Sequence, residues 1–185
     1  LVRTVPGAGR LIVNATDPRL AETLAMGSWS PREGFARDGG GGAQWSARAL
    51  SGGEDGSRFE VLASGQVVGR VDWKLLGGHN VDNALAAIAA ARHAGVPPEV
   101  ACAALGEFRG IKRRMELRGE VRGVRVYDDF AHHPTAIATT LDGLRRRVGT
   151  QRIVAVLEPR SNTMKLGVHR ETLAPSLAGA DEVWL

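Results

Sequence analysis

Tyr127-Asp128-Asp129-Phe130-Ala131-His132-His133-Pro134-Thr135 carries the clearest architectural signal in the chain. The apolar run before it reads as a strand over Val124–Phe130, with Asp129 near its C-terminal end. Pro134 stands where a helix begins, because its missing N–H costs nothing at the first helical position. A strand followed at once by a helix is half of a crossover unit. Further along, Pro134–Val148 reads as a helix, Ile153–Leu157 as a buried strand, Arg170–Ala178 as a helix and Val183–Leu185 as a strand. That β-α-β-α-β order predicts a parallel sheet with crossover helices.

Upstream the signals differ. Leu11–Asn14 reads as a short strand. Asp17 caps a helix from Pro18 to about Ala25. Ser28–Gly42 reads as a loop closed by four consecutive glycines, Gly39 to Gly42. Gln44–Leu50, Arg58–Ala63 and Val67–Leu75 alternate as strands, with Gly52-Gly53 and Ser64-Gly65 between them, which predicts an antiparallel meander. A helix over Asn80–Ala94 carries an apolar stripe of Val81, Ala84, Leu85, Ile88 and Ala91, continued by Arg92. Gly95 ends it, and Pro97-Pro98 opens another helix to about Glu107. Strands near Arg114–Glu120 and Val124–Phe130 follow, joined at Arg122-Gly123. A domain boundary is placed between Glu107 and Arg114.

Composition narrows the function. The chain has 185 residues, 43% hydrophobic and 24% charged, enough to bury a core and too apolar for a disordered tail. It has no apolar run of the roughly 18–20 residues that a membrane span needs and no signal-peptide pattern. A soluble, cytoplasmic chain with no membrane partner is expected. The single Cys102 excludes a disulfide framework. The net charge is +4, but the basic residues are dispersed and aromatics make up only 5%. That argues against a nucleic-acid partner and for a small anionic ligand. Leu1 in place of an initiator Met, and a strand-like ending at Asp181–Leu185, fit a piece of a longer polypeptide. No signal for an oligomeric state is present.

Four constellations carry chemistry. At the Asp129 turn, ligands bind in open α/β sheets and a helix N-terminus favours anions. A carboxylate there is suited to ribose hydroxyls, and plain capping is the structural alternative. Adjacent His132 and His133 cannot easily face one ion, so no metal site is assigned. In Gly77-Gly78-His79-Asn80-Val81-Asp82-Asn83, the amides of Asn80 and Asn83 share one helical face. They suit a nucleobase edge, or Asn80 caps the helix and Asn83 faces water. Lys112-Arg113-Arg114 offers guanidinium groups for phosphate, or a solvated hinge. Glu158-Pro159-Arg160-Ser161-Asn162-Thr163-Met164-Lys165 gathers polar and basic groups past a strand, where function often resides.

Together these stretches resemble the Mur ligase family. Gly77 to Ala87 matches its Gly-x-His-Asn-x-x-Asn-Ala-Leu-Ala-Ala pattern. Phe108-Arg109-Gly110-Ile111-Lys112-Arg113-Arg114 and Asp128 to Thr135 follow at the family's spacing, in the form of its muramate-binding branch. Glu158–Lys165 and the opening Leu1–Gly7 are similar to the members that add a preformed peptide more than to those that add alanine. The resemblance implies an α/β chain: the tail of the family's central ATPase domain, a mixed sheet plus helices, over residues 1–107. The front of a Rossmann-like C-terminal domain would occupy 108–185.

It also implies an activity. UDP-N-acetylmuramate, ATP and the tripeptide L-Ala-γ-D-Glu-meso-diaminopimelate would give an amide, ADP and phosphate through an acyl phosphate, with Mg²⁺ as cofactor, in peptidoglycan recycling. Joining L-alanine to the same nucleotide sugar, or a stand-alone nucleotide-binding module, are the alternatives. By the same resemblance Arg114 is the catalytic phosphate contact. His79, Asn80, Asn83, Asp129 and His132 would complete the nucleotide set. His133, Arg160, Ser161, Asn162 and Lys165 would hold the peptide. The family's Gly-x-x-Gly-Lys-Thr loop, its UDP-binding domain and its Mg²⁺-binding carboxylate have no counterpart in these 185 residues, so this chain alone is expected to be inactive.

Overall fold

Residues 2–159 and 162–185 are described by the computed structural model. Arg160 and Ser161 lie outside them. The chain forms two compact units, Leu1–Trp73 with Gly78–Phe108, and Lys74–Gly77 with Arg109–Leu185. Both combine strands and helices, so the fold is mixed α/β.

The first unit is built on a five-stranded sheet in the order β1 (Leu11–Asn14), β2 (Arg32–Phe35), β3 (Trp45–Ala49), β4 (Arg58–Ala63), β5 (Gln66–Asp72). The meander β3-β4-β5 is antiparallel, as its alternation predicts. Ser64 and Gly65 close the second hairpin with φ of 48° and 82°, the doubly positive geometry that matches strand twist. β1 and β2 add in parallel, which makes the sheet mixed.

β2 corrects the expected loop over Ser28–Gly42. Arg-Glu-Gly-Phe lacks an apolar alternation, yet Glu33 is 4% exposed. Its carboxylate accepts from Trp45 Nε1 and pairs with Arg92 at 3.1 Å and Arg10 at 3.3 Å. A charge so neutralised substitutes for an apolar inward residue. The glycine run folds into a short 3-10 turn, Gly40–Gly42. A Cβ on Gly41 would stand 2.3 Å from the Ala15 carbonyl oxygen, so the backbones meet where no side chain fits.

α1 (Pro18–Ala25) is capped by Asp17, which accepts from the Arg19 and Leu20 amides. α2 (Gly78–His93) buries Val81, Ala84, Leu85, Ile88 and Ala89. Ala91 is half-buried and Arg92 exposed; Arg92 instead lies 5.8 Å over the Trp45 ring on its way to Glu33. α3 (Pro98–Gly106) sets Cys102 against β5, where a Cβ on Gly69 would come within 2.7 Å of its sulfur. Burial pushes the Cys102 thiol up to about 11, so it acts as a small apolar group.

In the second unit β6 (Glu116–Val121) and β7 (Val124–Asp128) form an antiparallel hairpin through Arg122 and Gly123. α4 (Pro134–Val148) follows, then β8 (Val154–Val156), α5 (Asn162–Lys165), α6 (Arg170–Ser176) and β9 (Glu182–Trp184). β8 and β9 pair in parallel. The continuous parallel sheet expected from Val124 onward is not formed: among the described residues β7 pairs with β6, and β8 only with β9. The two-residue turn at Arg122-Gly123 makes hairpin closure the local solution for β7. Ile137, Leu141, Ile153 and Leu177 form the core, with Leu144, Met164 and Leu173 against it. The strand expected to be buried near Ile153–Leu157 has one covered face only, since Val154 is 49% and Val156 81% exposed.

Candidate functional site

The turn from β7 into α4 is shaped by one carboxylate. Asp129 Oδ1 accepts from the Ala131 amide at 2.7 Å, and Oδ2 from the Met115 amide at 2.8 Å. The first bond closes the turn; the second ties it to the basic segment before β6. Phe130 N–H donates to the Arg113 carbonyl at 2.7 Å, so the two segments are joined twice.

Around exposed Phe130 the charged groups gather. The Arg113 and Arg114 guanidinium carbons stand 5.3 Å and 6.0 Å from the ring centroid. The His132 ring meets it edge-on at 5.0 Å, with Nδ1 2.9 Å from the Phe130 carbonyl oxygen. Guanidinium groups over an aromatic face keep their donors outward. Arg113 is paired with Asp128 at 3.4 Å, whereas Arg114 is exposed and its guanidinium lies over Phe130. Arg114, Asp129 and His132 are thus brought together. Phe130 and Arg113, both inside quoted motifs, belong to the cluster without having been singled out.

The backbone here is unusual. Arg113 and Met115, on either side of Arg114, have φ of 60° and 49°. A non-glycine residue in that region costs about 1–3 kcal/mol. The Arg113 amide is held by Glu116 Oε2 at 2.9 Å. That amide, before Arg118 and Lys112, keeps the Glu116 carboxyl below the usual glutamate range against a smaller effect of burial. Only a carboxylate two residues past the basic run Lys112–Arg114 could have flagged Glu116 in the sequence.

His133 also caps a helix. It is the N-cap of α4, its Nδ1 accepting from the Thr135 amide at 3.3 Å, and its ring packs edge-on at 4.6 Å against His169. Asn162 and Lys165 bound α5 and are exposed. Met164 between them packs on the α4 core, which fixes that short helix beside α4. His169, a neighbour of His133, was not anticipated.

In the first unit, His79, Asn80 and Asn83 occupy the first turns of α2. The helix begins at Gly78, so Asn80 lies inside it and is not its cap; Asn83 is exposed. Arg37 Nε reaches the Asp82 carboxylate at 3.1 Å. Burial nonetheless raises the Asp82 carboxyl above the usual aspartate range, with Arg37 opposing. Gly77, which opens the motif, packs in the second unit: a Cβ on Gly143 of α4 would stand 2.8 Å from its Cα. Among the described residues no three His, Cys, Asp or Glu side chains cluster to hold a metal ion, and no helix is long and apolar enough to cross a membrane.

An exposed arginine beside an aromatic face, at a carboxylate-shaped turn leading into a helix N-terminus, is an arrangement chemically suited to an anion, on an α/β scaffold. Residues 1–91 match the Mur ligase middle domain, and residues 113–185 the Mur ligase glutamate ligase domain. All of the chain aligns at 56% identity with the UDP-N-acetylmuramate–L-alanyl-γ-D-glutamyl-meso-2,6-diaminoheptandioate ligase of Escherichia coli (strain K12), covering 39% of that protein. A solved murein peptide ligase from Psychrobacter arcticus 273-4 superposes with a TM-score of 0.70 at 47% identity, over 98% of this chain and 38% of that one. A UDP-N-acetylmuramate–L-alanine ligase of Thermosynechococcus vestitus is 47% identical over 57% of this chain and 23% of its own length. The chain belongs to the Mur ligase family. It spans about two fifths of the length of the curated relatives that it matches throughout.

Proposed function

We propose that the chain is part of an ATP-dependent ligase that joins the tripeptide L-Ala-γ-D-Glu-meso-diaminopimelate to UDP-N-acetylmuramate in the cytoplasm, in peptidoglycan recycling. The whole-chain likeness to a tripeptide ligase at 56% identity carries this reading, and it takes in Glu158–Lys165; the alanine ligases align over 50–70% of the chain at 40–48% identity.

In this reading a phosphoryl group passes from ATP to the muramate carboxylate, and the peptide amine attacks the resulting acyl phosphate. Such chemistry rests on positioning and charge neutralisation. Arg114 faces the phosphates, where its fork makes two parallel hydrogen bonds. Asp129 serves the ribose: each oxygen already takes one backbone amide, and each keeps a second lone-pair direction for a hydroxyl donor. His132 lines that turn beside Phe130. His79, Asn80 and Asn83 are assigned to the nucleotide on the motif match. Asn162 and Lys165 are assigned to the peptide, together with Arg160 and Ser161, which lie outside the described residues. His133 is assigned to the peptide on the same motif match, with its Nδ1 also capping α4. Mg²⁺ would neutralise phosphate charge in such a reaction; among the described residues no cluster of carboxylates gathers to hold it.

The test uses the complete gene product. ADP release is followed with UDP-N-acetylmuramate, ATP and either the tripeptide or L-alanine. Turnover with the tripeptide supports the assignment, and turnover with L-alanine alone refutes it. Arg114→Ala lowers ATP-dependent turnover about tenfold or more, roughly 1.4 kcal/mol at minimum, and Arg114→Lys restores only part of it. Unchanged kinetics in Arg114→Ala would remove that residue from the site.

A further inference from the structure

We propose that Glu116 is a positioning residue for Arg114, holding the strained backbone from which that guanidinium projects; this rests on the phosphate-facing role given to Arg114 above. Arg114 sits between two non-glycine residues in the left-handed region, Arg113 at φ 60° and Met115 at φ 49°. L residues rarely take that conformation unless the surroundings impose it. Each of the two flanking amides is held by a carboxylate. Glu116 Oε2 takes the Arg113 N–H at 2.9 Å, and Asp129 Oδ2 takes the Met115 N–H at 2.8 Å. The Arg113 carbonyl is bonded in turn by the Phe130 amide at 2.7 Å.

Arg114 N–H donates to the Ile111 carbonyl at 3.2 Å, and its side chain lies 6.0 Å over Phe130. The direction of that side chain is therefore set by the conformations on either side. The two pins differ in what else they do. Asp129 also closes the β7–α4 turn, so its loss disturbs several things at once. The Glu116 side chain binds the Arg113 amide and Arg118, at 3.0 Å, while its backbone pairs with Asp128 in the hairpin. Replacing that side chain leaves both Asp129 bonds, which close the turn and hold the Met115 amide, in place.

Without Glu116 the Arg113 amide loses a charged acceptor, and the segment relaxes toward ordinary φ values. Arg114 then samples orientations away from Phe130. The expected signature is weaker nucleotide recognition that disappears once Arg114 itself is gone.

The experiment measures KM for ATP and kcat in the complete gene product for Glu116→Ala, Glu116→Gln, Arg114→Ala and the Glu116→Ala/Arg114→Ala double variant. Glu116→Ala is expected to raise KM for ATP about fivefold or more with a smaller change in kcat. Glu116→Gln, whose carbonyl still accepts the Arg113 amide, recovers part of that loss. In the Arg114→Ala background Glu116→Ala adds nothing, since residues acting through one group are not additive. An equal loss in both backgrounds would show that Glu116 only supports the fold, and overturns the proposal. If Glu116→Ala fails to fold, Glu116→Gln carries the same cycle. If Arg114→Ala leaves KM and kcat unchanged, the phosphate-facing reading fails first. If Arg114→Ala is impaired while both Glu116 variants behave as wild type, Glu116 alone is wrong.

Discussion

In the first unit two buried glutamates are each bracketed by arginines; in the second, three carboxylates beside strand ends take backbone amides. Glu33 and Glu60 are 4% and 6% exposed, and each is bracketed by two arginines: Arg10 and Arg92 for the first, Arg48 and Arg70 for the second. Asp129, Glu116 and Asp181 instead accept from Met115 and Ala131, Arg113, and Ile153. Packing follows the same division. Trp45, Phe59, Val61, Val71, Leu85 and Ile88 are almost wholly buried in the first unit, while Val154, Val156 and Trp184 stand on exposed strands in the second. Charge in the first unit stitches strands over a full core. In the second it shapes loops, and loops are where a ligand-facing residue has to be aimed.

Two substitutions try to break the first half of that contrast. Phe59→Ala empties a position 1% exposed, with its ring edge-on to Trp73 at 5.6 Å. It should destabilise the first unit by about 3–5 kcal/mol. Urea unfolding of the chain followed by tryptophan fluorescence reads this, since Trp29, Trp45 and Trp73 all lie in that unit. Glu33→Ala comes next. It strips the Trp45 N–H of its acceptor and two arginines of their partner, which costs about 2–3 kcal/mol because Arg10 and Arg92 keep access to water. A change under about 0.5 kcal/mol, the size of an exposed pair, would mean that the buried carboxylate does not stitch the sheet.

β2 also shows where a sequence stops being legible. The hairpins announce themselves locally, because Ser64-Gly65 and Arg122-Gly123 have the turn chemistry and the strands lie on either side. α2 and α4 announce themselves through periodic apolar residues. Arg32–Phe35 has neither signal. Its inward Glu33 is made tolerable by Trp45, twelve residues on, and Arg92, fifty-nine residues on, and no local window contains those partners. The Asp129 turn behaves in the same way. Its place at the end of a strand is readable from the apolar run before it. That its carboxylate holds the Met115 amide, fourteen residues back, emerges only once the hairpin has folded. The cap made by His133 was hidden by its residue type, because histidine is not a customary N-cap.

The smallest predicted effect sharpens the contrast through its sign with pH. Asp181 Oδ2 accepts from the Ile153 amide and from Arg145, both at 2.6 Å. The Ile153 amide first, and Arg145 second, hold its carboxyl below the usual aspartate range. A carboxyl lowered by folding stabilises fully above its unfolded pKa of about 3.9 and loses that contribution as pH falls through the lower folded value. Asp82 in the first unit runs the other way. Burial raises its carboxyl despite Arg37, so its contribution is complete below the unfolded pKa and is lost as pH rises through the higher folded value. Thermal unfolding of the chain at pH 7 and pH 3 should therefore separate two mild variants. Asp181→Asn lowers the melting temperature at pH 7, and the gap narrows at pH 3. Asp82→Asn is neutral or slightly stabilising at pH 7, and that difference shrinks on acidification. Gaps of the same sign for both would show that the two units do not use their carboxylates differently, and a gap for Asp181→Asn that ignores pH would mean that its charge is not what holds Ile153.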